Sequence, residues 1–236
     1  MDLPAGRRIR YFGFAHYCPI CRARVRRFLD YSAGYRNVVC PLCGLQPRHR
    51  LMWLYLTWKL QLFGRTPVKL LHVAPEEVFS EAFSKSPNID YLSADLTMPR
   101  AMVRMDLTII PYPDHSFDAI YCSHVLEHIP DDRAAMKELL RVLRPGGWAI
   151  LQVPIDPSRD ATLEDLSIQT PEERENYYWQ FDHVRLYGND YKARLEDVGF
   201  EVTVDWFVRT FTDADVRRLG LDSSEGIFFC TKPRLG

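Results

Sequence analysis

The chain has 236 residues, 47% of them hydrophobic and 13% aromatic, and a formal net charge of −1 at pH 7. This composition predicts one sizeable core with a small additional module. We find no apolar run of the roughly 18–20 residues that a membrane span requires. The N-terminal sequence MDLPAGRRIRYFGF lacks the apolar segment and cleavage site of a signal peptide, so we expect a cytoplasmic protein.

The near-zero net charge hides an asymmetry along the chain. Residues 1–65 contain 12 Lys/Arg and 2 Asp/Glu, whereas the remainder contains 18 Lys/Arg and 29 Asp/Glu. A basic N-terminal part on an acidic body indicates either an anionic partner for the basic part or docking of the two parts to each other.

Four cysteines near the N-terminus form two C-x2-C pairs. Cys18 and Cys21 are followed after 18 residues by Cys40 and Cys43. This spacing is typical of a four-thiolate zinc site, because each pair can wrap one turn of backbone around the metal. The alternative, a pair of disulfides, is disfavoured in the cytosol. We therefore predict a zinc ribbon over residues 1–47, in which the metal is structural and stabilises a module with little core of its own.

The cysteine pairs lie among basic and aromatic residues. The arginines near the first pair alternate with aromatic side chains: Arg22, Arg24, Arg26 and Arg27 with Tyr17, Phe28, Tyr31 and Tyr35. Arginines beside aromatic platforms suit RNA recognition, so RNA is one candidate partner. A solvated surface that docks onto the rest of the chain is the other interpretation. Residues 48–65 predict a linker helix, apolar on much of its circumference, with Arg48 and Arg50 exposed at its start.

A βαβ unit is predicted in the middle of the chain. Phe117–Cys122 and Trp148–Val153 are short, mostly apolar runs that suit a parallel sheet covered on both faces. Between them, residues 131–143 have the spacing of a helix with one apolar face, and Pro145-Gly146-Gly147 ends it. Strand, helix and strand in this order predict an α/β fold.

The residues of this unit also carry a resemblance to a known family. The sequence DLTIIPYPDHSFDAIYCSHVLEHI, followed by ELLRVLRPGGWAILQVP, resembles class I S-adenosylmethionine (SAM)-dependent methyltransferases of the type 11 kind. The resemblance covers roughly residues 69–232. It implies a Rossmann-like seven-stranded sheet of order 3-2-1-4-5-7-6 in a domain spanning residues 66–236, with the last strand antiparallel to its neighbours.

The resemblance places the SAM cofactor beside the first strand, Val68–Ala74. In the family this strand ends in an acid and a glycine-rich turn that lets the backbone approach the cofactor. Here His72 stands at the position of the acid, and Ala74-Pro75-Glu76 replaces the glycines. Ala74 is small enough for close approach, and Glu76 is a candidate partner for the cofactor's ammonium group. An acid favoured by the helix dipole is the alternative interpretation of Glu76.

Three further cofactor residues follow from the same resemblance. Asp95 ends the second strand, Ile89–Asp95, where an acid accepts hydrogen bonds from the ribose hydroxyls. Asp106 matches the position that accepts the adenine amino group, and the backbone amide of Leu107 lies next to it.

The loop after the fourth strand is the expected methyl-transfer site, because ligands of open parallel sheets bind at the carboxyl ends of the strands. Ser123 and His124 are expected to line the cofactor or substrate side. Methyl transfer requires the protein to align the acceptor and remove its proton, a task that suits histidine. His128 is therefore a candidate base, with a structural hydrogen bond to Glu127 as the alternative.

Residues 155–187 interrupt the alternation of strands and helices, and we predict that they form a lid-like insertion over the active site. Side chains that alternate along an extended strand point the same way, which groups His183, Arg185 and Tyr187 at the acceptor. His183 is then a second candidate base, Arg185 a clamp for an anionic group and Tyr187 a wall of the pocket. Tyr178, from a preceding aromatic cluster, is a further candidate. A polar edge strand is the alternative interpretation.

The sequence supports three hypotheses about function. The first is methyl transfer from SAM to an O or N atom of a small molecule, sugar or natural product, because an aromatic insertion suits a compact acceptor such as a glycan unit. The second is an RNA methyltransferase that holds RNA on the basic zinc ribbon. The third is a catalytically degenerate, zinc-stabilised binding protein, for which the glycine-poor turn after the first strand is the only support.

Overall fold

The computed structural model describes residues 5–32 and 35–234. Within these ranges the chain forms seven α-helices and nine β-strands. The α-helices are α1 (Ala5–Tyr11), α2 (Pro47–Leu54), α3 (Glu77–Ser84), α4 (Asp132–Val142), α5 (Pro171–Tyr178), α6 (Tyr191–Asp197) and α7 (Asp213–Leu219). The strands are β1 (Phe12–Cys18), β2 (Ala23–Val25), β3 (Val68–Val73), β4 (Ile89–Asp95), β5 (Val103–Arg104), β6 (Phe117–Ser123), β7 (Leu143–Gln152), β8 (Glu201–Asp205) and β9 (Ile227–Thr231).

The larger of two compact units consists of residues 65–205 and 227–236 and is built on a seven-stranded sheet. Its strands lie in the order β5-β4-β3-β6-β7-β9-β8, which confirms the predicted order 3-2-1-4-5-7-6. The first five are parallel, and β9 is antiparallel to both β7 and β8. Strand order reverses between β3 and β6, where open α/β sheets form their ligand-binding crevice.

Apolar strands and the helix α4 form the core of this unit. The helix begins where the Asp131 side chain accepts a hydrogen bond from the backbone amide of Ala134, 2.9 Å away. Its Met136, Leu139 and Val142 are fully buried against the strands. The nearly continuous burial of β6 and of residues 149–152 in β7 explains why these sequences lack polar alternation.

The smaller unit consists of residues 1–64 together with residues 206–226. The predicted division placed 206–226 in the catalytic domain and made 48–65 a separate linker. Long-range hydrogen bonds explain the observed grouping. The guanidinium of Arg50 donates to the carbonyls of Leu219 and Gly220 at 2.8 and 2.6 Å, and a ring nitrogen of His16 lies 2.9 Å from the carbonyl of Arg217.

Arg50 is fully buried, which corrects the expectation that it is exposed. In addition to its bonds to residues 219 and 220, it donates to the carbonyls of Leu45 and Val38 at 2.7 and 2.9 Å. These four hydrogen bonds join three segments of the unit. The predicted linker helix exists as α2, and it continues as a π-helical turn over Tyr55–Lys59. Among the described residues, no helix has the length and apolar character needed to cross a membrane.

Candidate functional site

Four cysteine side chains meet in the smaller unit. The Sγ atoms of Cys18 and Cys43 are 3.6 Å apart, and those of Cys21 and Cys40 are 3.7 Å apart. All four sulfurs lie within 4.8 Å of one another. A disulfide requires a sulfur–sulfur distance of about 2.05 Å. Four thiolates at about 2.3 Å from a tetrahedral zinc ion are about 3.8 Å apart. The donor set and its spacing therefore fit one zinc ion rather than two disulfides.

The surroundings of the cysteines are a small core and a tight turn. Cys18 and Cys40 are buried together with Val25, Phe28 and Leu42, a set too small to hold the module by apolar burial alone. The second pair is held in a turn, in which the amide of Gly44 donates to the carbonyl of Cys40 at 2.9 Å. Gly44 has φ = +74°, a left-handed conformation that favours glycine.

At the carboxyl edge of the larger unit's sheet, three predicted cofactor residues lie side by side. The register aligns the last residue of β3 with the penultimate residues of β4 and β6. The next residue of each chain segment is Ala74, Asp95 or Ser123, so these three lie side by side at the carboxyl ends of three neighbouring strands. Because strand order reverses here, this is the edge at which α/β folds bind nucleotides.

Two residues at this edge adopt the left-handed backbone conformation. Ala74 has φ = +48° and His124 has φ = +57°. The amide of Ala74 donates to the carbonyl of Ala94 at 2.9 Å, which holds the turn in place. This conformation costs a non-glycine residue about 1–2 kcal/mol, and strained residues of this kind cluster at functional sites. The turn after β3 thus keeps a glycine-type conformation although its sequence has alanine.

His72 lies within the sheet and does not reach the crevice. Its ring is fully buried beside the rings of Phe83 and Tyr121. Its Nε2 atom lies 2.9 Å from Oε2 of Glu76, and its Nδ1 atom lies 3.1 Å from the hydroxyl of Tyr91. The expectation that His72 contacts the cofactor is therefore corrected, because its burial leaves it the role of orienting Glu76, whose side chain is 25% exposed.

Asp95 ends β4, and Asp106 follows β5 by two residues. Oδ1 of Asp95 accepts from the amides of Thr97 and Met98 at 2.7 and 2.6 Å, whereas its Oδ2 accepts no hydrogen bond from the described residues. Asp106 is exposed, and Oδ1 accepts from the amide and hydroxyl of Thr108, which lowers the pKa of its carboxyl group. The side chain of Leu107 is buried in the core beside it. These carboxylates and the turn at Ala74 fit a SAM-type nucleoside.

Glu127 has a buried carboxylate without a hydrogen bond. It belongs to a single 3-10 turn, Leu126–His128, that follows β6. Its side chain is 1% exposed, and neither carboxylate oxygen has a hydrogen-bond partner among the described residues. Nδ1 of His124 lies 3.3 Å from Oε1, near enough for an ion pair if that ring is protonated. A buried carboxylate that accepts no hydrogen bond is costly, which makes Glu127 a candidate functional residue.

His128 and His183 come together beside Glu127. Their ring centroids are 4.8 Å apart in an edge-to-face arrangement, and one ligand-type atom of each lies within 4.8 Å of a Glu127 oxygen. Nδ1 of His183 donates to the carbonyl of Tyr178 at 2.8 Å. Burial lowers the pKa of His183, although the bond to Tyr178 and the charge of Glu127 oppose the shift. His183 is thus held neutral near pH 7, with Nε2 as the acceptor nitrogen.

The comparisons with known proteins agree with this geometry. A family model described as a methyltransferase domain of type 11 matches residues 71–151, which include the turn after β3, Asp95, Asp106 and the Glu127 loop. Residues 71–151 thus match a methyltransferase domain.

One relative of this methyltransferase domain is the ubiquinone/menaquinone biosynthesis C-methyltransferase UbiE of Escherichia coli O139:H28. It is 26% identical over 118 residues, which cover 44% of this chain and 47% of that protein. The chain therefore spans about half the length of the curated relatives that it matches.

Solved structures share the fold at low sequence identity. A methyltransferase from Mesorhizobium loti has a TM-score of 0.53 at 17% identity, covering 77% of this chain and 98% of that one. The [4+2]-cyclase SpnF also has a TM-score of 0.53, at 15% identity, covering 89% of this chain and 88% of that one. Because a cyclase shares the architecture, the activity has to be argued from the site and not from the fold.

Arg185 is a structural residue of the methyltransferase domain, which corrects its predicted role as an anion clamp. Its side chain is fully buried, and Nη1 donates to the carbonyls of Leu126 and Ile129. Nη2 donates to the carbonyl of Pro130 at 2.8 Å, and Nε and Nη2 both donate to Glu164. With its N–H groups engaged, Arg185 holds the loop that carries Glu127 and His128 in position.

The two tyrosines predicted to line the acceptor pocket are also buried in the interior. The hydroxyl of Tyr187 donates to Asp132 at 2.6 Å, and that of Tyr178 pairs with the backbone of Asp165 at 3.0 Å. Both side chains are 0% exposed. They stabilise the insertion at residues 155–187 and offer no surface to an acceptor, which corrects their predicted role.

Two functional candidates were missed by the sequence interpretation. Glu127 was considered only as a partner of His128, whereas the structure gives it a buried carboxylate of its own. Oδ2 of Asp182 lies 3.3 Å from Nδ1 of His128 and so orients that ring. The two apolar residues before Glu127, Val125 and Leu126, were the available indication that its side chain is buried.

Proposed function

We propose that this domain transfers a methyl group from SAM to an O or N atom of a small-molecule acceptor, such as a sugar or natural product. The observation that carries the proposal is the buried carboxylate of Glu127, which accepts no hydrogen bond from a described residue and lies beside His128 and His183 after β6. A group of this kind can accept or orient a proton where the acceptor must lose one. Its place on the cofactor edge of the sheet supports a catalytic rather than a structural role.

Residues at this edge would hold the cofactor. Oδ2 of Asp95 would accept from the ribose hydroxyls, and Asp106 with the amide of Leu107 would bind the adenine edge. The turn at Ala74, with Glu76, would receive the methionine part, and Ser123 and His124 would line the side nearest the acceptor. When bound, SAM supplies an electrophilic methyl group and a sulfide leaving group.

The chain's own contribution is to position the acceptor and take its proton. Because Nδ1 of His183 donates to the Tyr178 carbonyl, the lone pair of Nε2 remains available as the base. His128, oriented by Asp182, is the second candidate base. General-base assistance of this kind contributes about 10²–10⁴ to a rate. Residues 155–187 would act as the lid that excludes water.

We further propose that Cys18, Cys21, Cys40 and Cys43 bind one structural zinc ion. Their four sulfurs are spaced for a tetrahedral site with no position left for substrate. Metal analysis of the purified chain should find zinc that is lost in a Cys18→Ser/Cys40→Ser variant. Full retention of zinc in that variant would contradict the assignment.

A second candidate is RNA methylation, supported by one observation in the smaller unit. Phe14, Tyr31 and Tyr35 are 71%, 67% and 64% exposed in this basic module. The guanidinium of Arg24 lies 5.6 Å from the ring centroid of Phe14. Exposed rings beside arginines are the elements with which proteins stack unpaired bases.

The first experiment is calorimetric titration of the zinc-loaded chain with SAM and, separately, with its demethylated product. We expect saturable micromolar binding of both, with transfer of labelled methyl from SAM into a small-molecule extract. Transfer of the labelled methyl group into purified RNA instead, with RNA binding that weakens steeply as salt is added, would favour the RNA methyltransferase over the small-molecule enzyme. Transfer to a carbon atom would overturn the O or N assignment. Absence of binding at millimolar SAM would leave the zinc-stabilised binding protein as the interpretation.

A further inference from the structure

We propose that Glu127, His128 and His183 form a second metal site, which binds a divalent first-row transition-metal ion such as Zn²⁺ or Co²⁺. One ligand-type atom from each of the three residues lies within 4.8 Å of the other two. The site is chemically distinct from the four-cysteine cluster, because its donors are one carboxylate and two imidazoles. It lies at the carboxyl end of β6, beside the proposed cofactor residues.

The first argument is the electrostatic state of Glu127. Both of its carboxylate oxygens are buried and accept no hydrogen bond from the described residues. Among the residues that the structure describes, the basic group at ion-pair distance is Nδ1 of His124, 3.3 Å away on a side chain that is 29% exposed. A buried carboxylate is stable when it is paired with a cation or coordinates a metal. The two histidines beside it supply further ligands for the same ion.

The second argument is the orientation of the two imidazoles. Nδ1 of His183 donates to the carbonyl of Tyr178 at 2.8 Å, and Nδ1 of His128 lies 3.3 Å from Oδ2 of Asp182. In each ring the other nitrogen, Nε2, has no hydrogen bond to a described residue. A metal-binding histidine typically donates its remaining N–H to a carbonyl or a carboxylate in this way, which fixes the tautomer and the ring direction.

The third argument concerns fit and the class of metal. A metal with ligand bonds of about 2.1 Å holds its donor atoms about 3–3.4 Å apart, so the 4.8 Å cluster has to contract. His128 can supply that movement, because its side chain is 31% exposed, whereas His183 is buried and held by Tyr178. Two imidazoles with one carboxylate favour Zn²⁺, Co²⁺, Fe²⁺ or Mn²⁺ over Ca²⁺ and leave coordination positions open.

The open positions suit an oxygen-bearing acceptor, a step that rests on the proposed function. With His128 and His183 bound to the metal, their nitrogens would no longer act as bases, and the metal would take over that task. A hydroxyl bound to it would release its proton to water more readily, because the metal stabilises the oxyanion. The new O–C bond would then form as the S–C bond of SAM breaks, leaving the methylated acceptor and S-adenosylhomocysteine. The site therefore restricts the acceptor class to molecules that present oxygen ligands.

The test is titration of the zinc-loaded chain with Co²⁺, followed by calorimetry and visible absorption. We expect one further equivalent to bind, with ligand-field bands of nitrogen and oxygen donors and without thiolate charge-transfer absorption. Glu127→Gln and His183→Ala should each abolish this equivalent, while His115→Ala, an exposed histidine outside the cluster, should retain it. Asp182→Asn should weaken the binding by about 10–100-fold, because it disturbs only the orientation of His128.

Absence of a further equivalent in the wild type, or its persistence in both Glu127→Gln and His183→Ala, would overturn the proposal. Circular dichroism of Glu127→Gln, which conserves shape, separates loss of metal from loss of folding. SAM titration of the same samples separates the two proposals. Metal binding without SAM binding would overturn the proposed function alone, and SAM binding without the further metal would overturn the metal site alone.

Discussion

The guanidinium carbon of Arg50 lies 4.2 Å from the ring centroid of Phe28, and both side chains are buried. Phe28 belongs to the small core around the cysteines, and Arg50 to the helix α2. The stacked arginine also donates to carbonyls of residues 38, 45, 219 and 220. One charged side chain thus connects the cysteine module, its following helix and the distant segment 206–226.

Replacement of Arg50 by Lys should destabilise the smaller unit by about 2–4 kcal/mol. A lysine has three donors on one nitrogen and cannot serve carbonyls in several directions, so buried acceptors lose their partners at about 1–3 kcal/mol each. Hydrogen exchange of peptides from residues 5–64, followed by mass spectrometry, measures the loss of protection. Arg48→Lys is the control, because Arg48 has its side-chain bond to Gln46 alone among the described residues and should leave protection unchanged. Equal protection in both variants would contradict this role of Arg50.

Replacement of Gly220 by Ala should destabilise the same unit for two separate reasons. Gly220 has φ = +61°, a conformation that is about 1 kcal/mol less favourable for a residue with a β-carbon than for glycine. In addition, the β-carbon of the alanine would lie 2.3 Å from Cε2 of the buried Phe28 ring. Overpacking of this kind costs a further 1–3 kcal/mol or so.

Gly44→Ala separates the two contributions, because Gly44 has φ = +74° and a β-carbon added there would meet no described atom within 4 Å. We expect Gly44→Ala to show the conformational cost alone, measured by the same exchange experiment. A Gly220→Ala effect no larger than that of Gly44→Ala would show that the Phe28 ring moves aside without cost.

The carboxylate of Asp132 should make the larger unit sensitive to acid. Burial raises the pKa of Asp132, but bonds from Arg194 and Tyr187 and the charge of Arg185 outweigh it, so the pKa lies below its ordinary value. A depressed carboxyl pKa contributes stability that is fully present above the unfolded-state pKa of about 3.9 and is lost as pH falls through the folded-state pKa.

Asp132→Asn should therefore lower the free energy of unfolding at pH 7 by about 3–5 kcal/mol, since it leaves Arg185 and Arg194 without this charge. The difference from wild type should shrink as pH falls below 4, in urea unfolding monitored by circular dichroism. Asp165→Asn, at an exposed carboxylate bonded to Ser167, should change stability little. If the free energies of unfolding of wild type and Asp132→Asn differed by the same amount at pH 3 and pH 7, the predicted pH dependence would be wrong.

The sheet could be predicted from the sequence because its determinants are local. Strand β4 has the predicted bounds, β6 is one residue longer, and helix α4 is one residue shorter at each end. The agreement follows because apolar runs and helical spacing are properties of neighbouring residues. The order of the strands followed from the resemblance and not from periodicity.

The roles of buried charged residues could not be predicted, because their partners are distant in sequence. Arg185 bonds to carbonyls 55–59 residues away, and Arg50 to carbonyls 169 and 170 residues away. A local pattern identifies each as a polar residue, for which exposure is the ordinary expectation. The left-handed conformation of Ala74 could not be predicted either, because alanine gives no indication of a positive φ.

Asp95→Asn should weaken SAM binding about 10–100-fold while it leaves the fold intact. The amide oxygen of asparagine can still accept from Thr97 and Met98, so the turn after β4 is retained. Its amide nitrogen cannot accept from a ribose hydroxyl, and the charge that strengthens such bonds is lost, which corresponds to about 1.5–3 kcal/mol. Asp90→Asn, at an exposed carboxylate on the same strand, is the matched control and should bind SAM as the wild type does. Equal SAM affinity of the Asp95→Asn and Asp90→Asn variants in calorimetry would show that the nucleoside does not bind at the end of β4, and the cofactor site would have to be sought elsewhere along the carboxyl edge.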